Sequence, residues 1–111
     1  MTLYRNPVRD LMQNLEQDLL RIEGVKEVSF DESAFELDQL IFLTKYDIPL
    51  SLPNYYATRR AMAKKILHTA SQHQLTKTED RIEDYGEHLY FVFDCHEVWL
   101  ERLHSCNHGE S

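Results

Sequence analysis

Two short apolar runs constrain the fold of this chain more than any other feature of its sequence. They lie within Gln39–Tyr46 and His88–Phe93, and both are strand-sized, well short of the ~18 apolar residues that a membrane span requires. The first run is apolar on both faces over Leu40–Leu43, which is typical of a central strand covered on one side by helices. We therefore predict two interior strands around which the other elements pack.

Two amphipathic stretches predict helices that alternate with these strands. Apolar residues recur at helical spacing through Pro7–Glu23, and Asn6 before them has the side chain of a capping residue. Gly24 follows, where the end of a helix favours a left-handed residue. The second helix is predicted over about Tyr55–His73, with Asn54 as its capping residue.

The remaining segments are shorter. Val25–Phe30 is predicted as a strand, and Leu75–Glu83 as an edge strand whose charged side chains oppose further pairing. Asp47–Pro53 holds two prolines and is predicted as a non-helical crossover. Cys95–Leu103 is predicted as a final short helix, with a continued strand as the competing interpretation, and residues 105–111 as a frayed tail.

The predicted order is α-β-β-α-β-β-(α) in a single domain spanning residues 1–111. Two hairpins separated by a helix favour a two-layer α+β sandwich, with a four-stranded, mainly antiparallel sheet and the helices packed on one face. A composition of 42% apolar and 28% charged residues is that of a globular chain. The sequence has only three glycines, Gly24, Gly86 and Gly109, which excludes the clustered glycines of a Walker loop or a dinucleotide fingerprint.

Charge is distributed unevenly along the chain. The net charge is −7, which argues against general affinity for nucleic acid or for an anionic membrane. Residues 48–78 contain five bases and no acid, so the rest of the chain carries a net −12. We expect one basic element on an acidic body, and no membrane partner.

The start of the sequence has no apolar stretch typical of a secretory signal, so we expect a cytoplasmic protein. The two cysteines, Cys95 and Cys106, are then expected as reduced thiols.

A basic stripe is the first candidate binding site. Arg60, Lys64 and His68 are four residues apart and should share one face of the second helix. Arg59 and Lys65 flank that face. Such a stripe could bind a phosphate-bearing ligand, an RNA backbone or an acidic partner. One competing interpretation is a solvated helix face that keeps the protein soluble, and another is a surface that pairs with the protein's own carboxylates.

The final segment supplies the second candidate. Trp99 lies with Val98, Leu100 and Leu103, and four large apolar residues in six positions cannot all face inward on one short helix. We predict that some of them, Trp99 first, form an exposed patch that marks a protein contact. The alternative is a segment that lies in a groove and buries all four.

Metal and catalytic sites are weaker candidates. Zinc-binding residue types cluster near the end of the chain, at Cys95, His96, His104, Cys106 and His108, and carboxylates cluster within residues 31–38 and 79–87. Neither set has the ligand spacing of a known site type. Cys95 could be an activated thiol at a helix start, although a cysteine after a phenylalanine-rich strand is typical of a core. We expect no catalytic residue, metal or cofactor.

These observations favour a small non-catalytic module that binds another protein as an inhibitor, adaptor or regulatory subunit and that self-associates as a homodimer. Its acidic body would suit a partner with a basic surface. The alternative is a module that binds a phosphate ligand or nucleic acid through the basic stripe. A metal- or thiol-dependent enzyme is the third and least favoured hypothesis.

Overall fold

The computed structural model describes residues 8–49, 51–78, 83–85 and 88–109, and for residues 83–85 and 105–109 the backbone alone. The predicted order of helices and strands is confirmed in outline, with one more short strand after the second helix than predicted. The helices are α1 (Arg9–Leu20), α2 (Tyr55–Gln72) and α3 (Glu97–Gly109), and the strands are β1 (Val25–Asp31), β2 (Gln39–Tyr46), β3 (Leu75–Lys77), β4 (Glu83–Tyr85) and β5 (His88–Cys95). A 3-10 turn at Glu32–Leu37 joins β1 to β2.

The described strands form one antiparallel sheet in the order β1-β2-β5-β3, with β4 also paired to β5. β3 pairs with the end of β5, where Leu75 lies opposite Cys95, and β4 pairs with its start. The predicted edge strand Leu75–Glu83 is therefore two short strands along the same edge, and residues 79–82 lie outside the described residues. The sheet is four strands wide, as predicted.

The central pair of strands buries every second side chain. Register places Leu40 opposite Phe93, and Phe42 opposite Phe91. Because side chains alternate between the faces of a strand, all four share one face, and each is buried. The ring of Phe42 lies 5.3 Å from that of Phe93 and 5.4 Å from that of Phe91, measured between centroids.

The helices pack on that same face, which confirms the predicted two-layer α+β sandwich. α1 buries Met12, Leu15 and Leu19, and these residues belong to one core with the phenylalanines of β2 and β5. α2 adds Met62 and Ile66 to the same core. One face of the sheet therefore holds the core and the other faces away from the helices.

The predicted helix ends need two corrections. α1 is shorter than Pro7–Glu23, and Asn6 and Pro7 lie outside the described residues. Asn54 precedes α2 but its side chain makes no capping hydrogen bond. Gly24 does adopt a left-handed conformation, with φ of 99°, in the turn from α1 to β1, and a Cβ there would lie 3.2 Å from the sulfur of Met62.

The last element is a helix rather than a continued strand, and it is longer than predicted. α3 runs through Gly109, so the tail that was expected to fray from residue 105 is helical through 109. Once a helix is nucleated, each further residue adds a backbone hydrogen bond, and the sequence contains no proline that would stop it.

A buried hydroxyl gives a test of the core. Thr44 is fully buried, and its Oγ1 has no hydrogen-bond partner among the described residues. Thr44→Val removes this uncompensated group at constant shape, and we expect the free energy of unfolding in urea to rise by about 1–3 kcal/mol. Thr44→Ser is the matched control, since it keeps the hydroxyl and loses a buried methyl worth about 1 kcal/mol. A Thr44→Val protein less stable than wild type would contradict this account of the core.

Candidate functional site

The basic stripe predicted on α2 lies at the surface. Arg60, Lys64 and His68 are exposed and follow one another along the side of α2 that faces away from the core. Lys65 lies on one flank of this row and lines a cleft beside α1. The predicted spacing is therefore reproduced, and the stripe carries no buried charge.

Arg59 lies on the opposite flank and has a different environment. Its guanidinium carbon is 5.2 Å from the ring centroid of Tyr56 and 5.8 Å from that of Tyr55, within cation–π range. The hydroxyl of Tyr55 is hydrogen-bonded at 2.8 Å to the hydroxyl of Tyr46 on the core face of β2. Arg59 thus belongs to the aromatic start of α2.

Lys64, Lys65 and His68 are brought together at a groove between α2 and the turn that follows α1. One cleft of about 560 Å³ is lined by these three residues, by Thr69, and by Arg21, Ile22 and Glu23 from that turn. A second cleft of about 330 Å³ shares Glu23 and Lys65 with it and extends toward Gly24, Asp47 and Met62. We call the two clefts together the α1–α2 groove. Arg59 and Arg60 do not line it.

The groove is basic along its α2 side. Arg21 lies 3.5 Å from Asp18, and the side chain of Arg21 is 80% exposed whereas that of Asp18 is 43% exposed. Within the described residues, neither Lys64 nor Lys65 forms an ion pair with a carboxylate. For these two lysines, the interpretation in which the stripe pairs with the protein's own carboxylates therefore has no support in the described part of the chain.

The predicted exposure of Trp99 is wrong. Its side chain is 1% exposed, and its indole nitrogen donates a 2.6 Å hydrogen bond to the backbone oxygen of His73. Leu100 and Leu103 are half-buried and pack against the core. α3 contacts β5, and Trp99 reaches the residue that follows α2, so the apolar residues of α3 are covered by more than one element.

α3 is also tied to α1 and to the start of β2. The guanidinium of Arg102 donates a 2.9 Å hydrogen bond to the carboxylate of Asp10, and this bond lowers the pKa of the Asp10 carboxyl below its usual value. His104 lies 3.1 Å from the carboxylate of Asp38. These two contacts lie near the middle of α3, at residues two positions apart.

The candidate metal ligands are separated and have other partners. His96 is hydrogen-bonded to the hydroxyl of Thr76, and Asp31 accepts from the backbone nitrogen of Ser33 at 3.1 Å. The side chains of Cys106 and His108, and those of residues 79–87, lie outside the described residues. Among the side chains that are described, no group of three potential ligands converges on one point.

Cys95 is a core residue. Its side chain is buried, and burial, together with the charges of Asp38 and Asp94, raises the pKa of the thiol to about 12. The thiol is therefore protonated at neutral pH. This finding argues against the predicted alternative in which a helix start activates Cys95 as a nucleophile.

The outer face of the sheet is a surface that the sequence analysis did not single out. Ile41 lies opposite Val92, and Leu43 opposite Tyr90, so four large side chains form one block across β2 and β5. All four are half-buried, and they lie on the face away from the core. We call them the outer apolar row. The signal for it was the apolar character of Leu40–Leu43 on both faces.

No protein-family model, curated protein or solved structure matched this chain. Among the described residues, no helix is both long enough and apolar enough to cross a membrane. The outer apolar row and the α1–α2 groove are the two surfaces of the described residues that suggest a function.

The buried position of Trp99 gives a second prediction. Trp99→Ala should lower the free energy of unfolding by about 3–5 kcal/mol, because it empties a large core position. Trp99→Phe keeps most of the ring but leaves the carbonyl of His73 without its donor, and should cost about 1–3 kcal/mol. Urea unfolding followed by circular dichroism measures both. If Trp99→Ala left stability unchanged, the indole would not be in the core.

A third prediction concerns the thiol of Cys95. In a Cys106→Ser background, iodoacetamide should modify Cys95 at pH 8 at least a hundredfold more slowly in native protein than in urea, because the raised pKa alone lowers the thiolate fraction about a thousandfold. Mass spectrometry at timed intervals gives both rates. Equal rates would show an accessible, ionisable thiol.

Proposed function

We propose that this protein is a non-catalytic protein-binding module that self-associates through the outer apolar row. The observation that carries the proposal is the block formed by Ile41, Leu43, Tyr90 and Val92 on the sheet face opposite the helices. A contiguous apolar patch on a soluble domain is typical of a protein contact, and tyrosine is enriched at such contacts.

The surroundings of the row support this interpretation. At one end of the row lie Lys45 and His88, which are directly opposite each other. At the other end the amide of Gln39 donates a 3.3 Å hydrogen bond to the carboxylate of Asp94. An apolar centre with polar ends is the usual composition of a protein interface.

A second copy of the chain is the occupant that we favour. A two-fold axis would set the same patch of two copies face to face, about 10 Å apart, as in a sandwich of two sheets. Strands of eight residues in a sheet four strands wide give a face of roughly 500 Å². This is below the ~800 Å² per partner of a standard interface, so we expect a dimer that dissociates on dilution.

The regulatory role is part of the same proposal. The buried, protonated thiol of Cys95 supports a non-catalytic function over a thiol enzyme. An inhibitor, adaptor or regulatory subunit acting in the cytoplasm would need only binding surfaces, and the acidic body would suit a partner with a basic surface. Binding of a phosphate ligand or nucleic acid is the second candidate, favoured by the exposed row of Arg60, Lys64 and His68.

Substitution within the outer apolar row tests self-association. We expect wild-type protein to shift from monomer to dimer with increasing concentration in sedimentation equilibrium. Leu43→Glu should remain a monomer, because a charge at the centre of the row would be desolvated on association. Its circular-dichroism spectrum should match that of the wild type.

Leu37→Glu is the matched control, since Leu37 is 74% exposed and lies outside the row. It should dimerise as the wild type does. The proposal fails if wild-type protein is monomeric up to about 1 mM, because even a dimerisation free energy of only ~4 kcal/mol corresponds to a dissociation constant of about that value. It also fails if Leu43→Glu dimerises as well as Leu37→Glu.

A further inference from the structure

The α1–α2 groove combines an apolar floor with a basic border. Ile22 and Met62 contribute apolar surface to its two clefts, and Lys64, Lys65 and Arg21 contribute positive charge. With volumes of about 560 and 330 Å³, the clefts fall within the ~300–1,000 Å³ of pockets that hold a ligand. The groove therefore has both the size and the chemistry of a binding site.

We propose that the α1–α2 groove binds an acidic, amphipathic segment of a partner protein. Charge complementarity supports this choice of occupant. The groove's α2 side belongs to residues 48–78, which contain no acid, whereas the rest of the chain carries a net −12. An acidic segment would be repelled by most of this protein and attracted to the groove.

The lysines are available for such a contact. Neither Lys64 nor Lys65 is engaged in an ion pair within the described part of the chain, and both are exposed. Ion pairs between exposed groups contribute little each. The apolar floor would therefore supply most of the affinity, and the lysines would select acidic over basic segments and accelerate association.

The groove suits a peptide better than it suits nucleic acid. Glu23 and Asp47 lie in its lining and are unfavourable for a nucleic acid, which carries a negative charge at every phosphate, whereas the carboxylates of a peptide can be confined to positions beside the lysines. Its floor is aliphatic, whereas proteins that bind single-stranded nucleic acid stack the bases on aromatic side chains. An acidic peptide can place carboxylates beside the lysines and apolar side chains on the floor, and can avoid the two acids.

This proposal does not depend on self-association. The groove lies on the helix side of the sandwich and the outer apolar row on the opposite face of the sheet. Either surface can be disabled by substitution without touching the other, so the two proposals fail separately.

In the experiment, synthetic peptides are added to the isotopically labelled 111-residue chain that carries Leu43→Glu. The chemical shifts of its backbone amides are followed by nuclear magnetic resonance. The probe is a 14-residue amphipathic peptide with glutamate on one face and leucine on the other. A peptide with lysine in place of each glutamate, a polyglutamate of equal length, and an oligouridylate are the comparisons. We expect the acidic amphipathic peptide to shift amides of residues 21–24 and 58–69, and to bind at least about tenfold more tightly than each comparison.

Charge reversal identifies the residues responsible. Lys64→Glu with Lys65→Glu should weaken binding of the acidic peptide by about tenfold or more. The control variant, Arg9→Glu with Lys77→Glu, changes the net charge by the same amount at positions outside the groove lining. It should weaken binding of the acidic peptide by less than about threefold, because only long-range charge changes. Both variants should give the circular-dichroism spectrum of the parent protein.

Several results would overturn the proposal. The first is that the acidic peptide does not bind. The second is that the basic peptide or the oligouridylate binds as tightly as the acidic peptide or more tightly, and the third is that the two charge-reversal variants lose affinity equally. Shifts confined to amides outside the groove would also overturn it, because the peptide would then occupy another surface.

Discussion

The packing of Phe42, Phe91 and Phe93 against α1 and α2 is the interaction on which the rest of the structure depends. The three rings come from the two central strands and lie within 6.0 Å of one another between centroids. Because side chains alternate along a strand, committing these residues to the core commits their neighbours to the opposite face. The outer apolar row is a direct consequence of the way in which the core is built.

The same arrangement determines where the second surface forms. α1 and α2 both lie on the core face, and the turn at Gly24 brings the end of α1 close to Met62. The space left between this turn and α2 is the α1–α2 groove. Lys64 and Lys65 of α2 then border an apolar cleft, whereas Arg59 and Arg60 lie outside it. One surface thus follows from the sheet and the other from the helix pair, on opposite sides of the molecule.

The local periodicity of apolar residues was sufficient to predict most of the fold. The interior strands, both long helices and the antiparallel sheet could be predicted because each element has one clear apolar pattern. Trp99 could not be placed in this way, since its burial depends on the contacts of α3 with β5 and with the residue that follows α2, which are tertiary. The grouping of Lys64, Lys65 and His68 with Arg21 depends equally on the packing of α1 against α2. The sequence therefore predicted the basic stripe, but not the groove that it borders.

The central claim is that two copies meet through the outer apolar row. The most direct measurement is an isotope-filtered nuclear Overhauser experiment on a mixture of labelled and unlabelled protein, at a concentration where the dimer predominates. The account predicts intermolecular contacts among the methyl groups of Ile41, Leu43 and Val92 and the ring of Tyr90. Intermolecular contacts confined to α3 or to the helix layer, with none in the row, would contradict it.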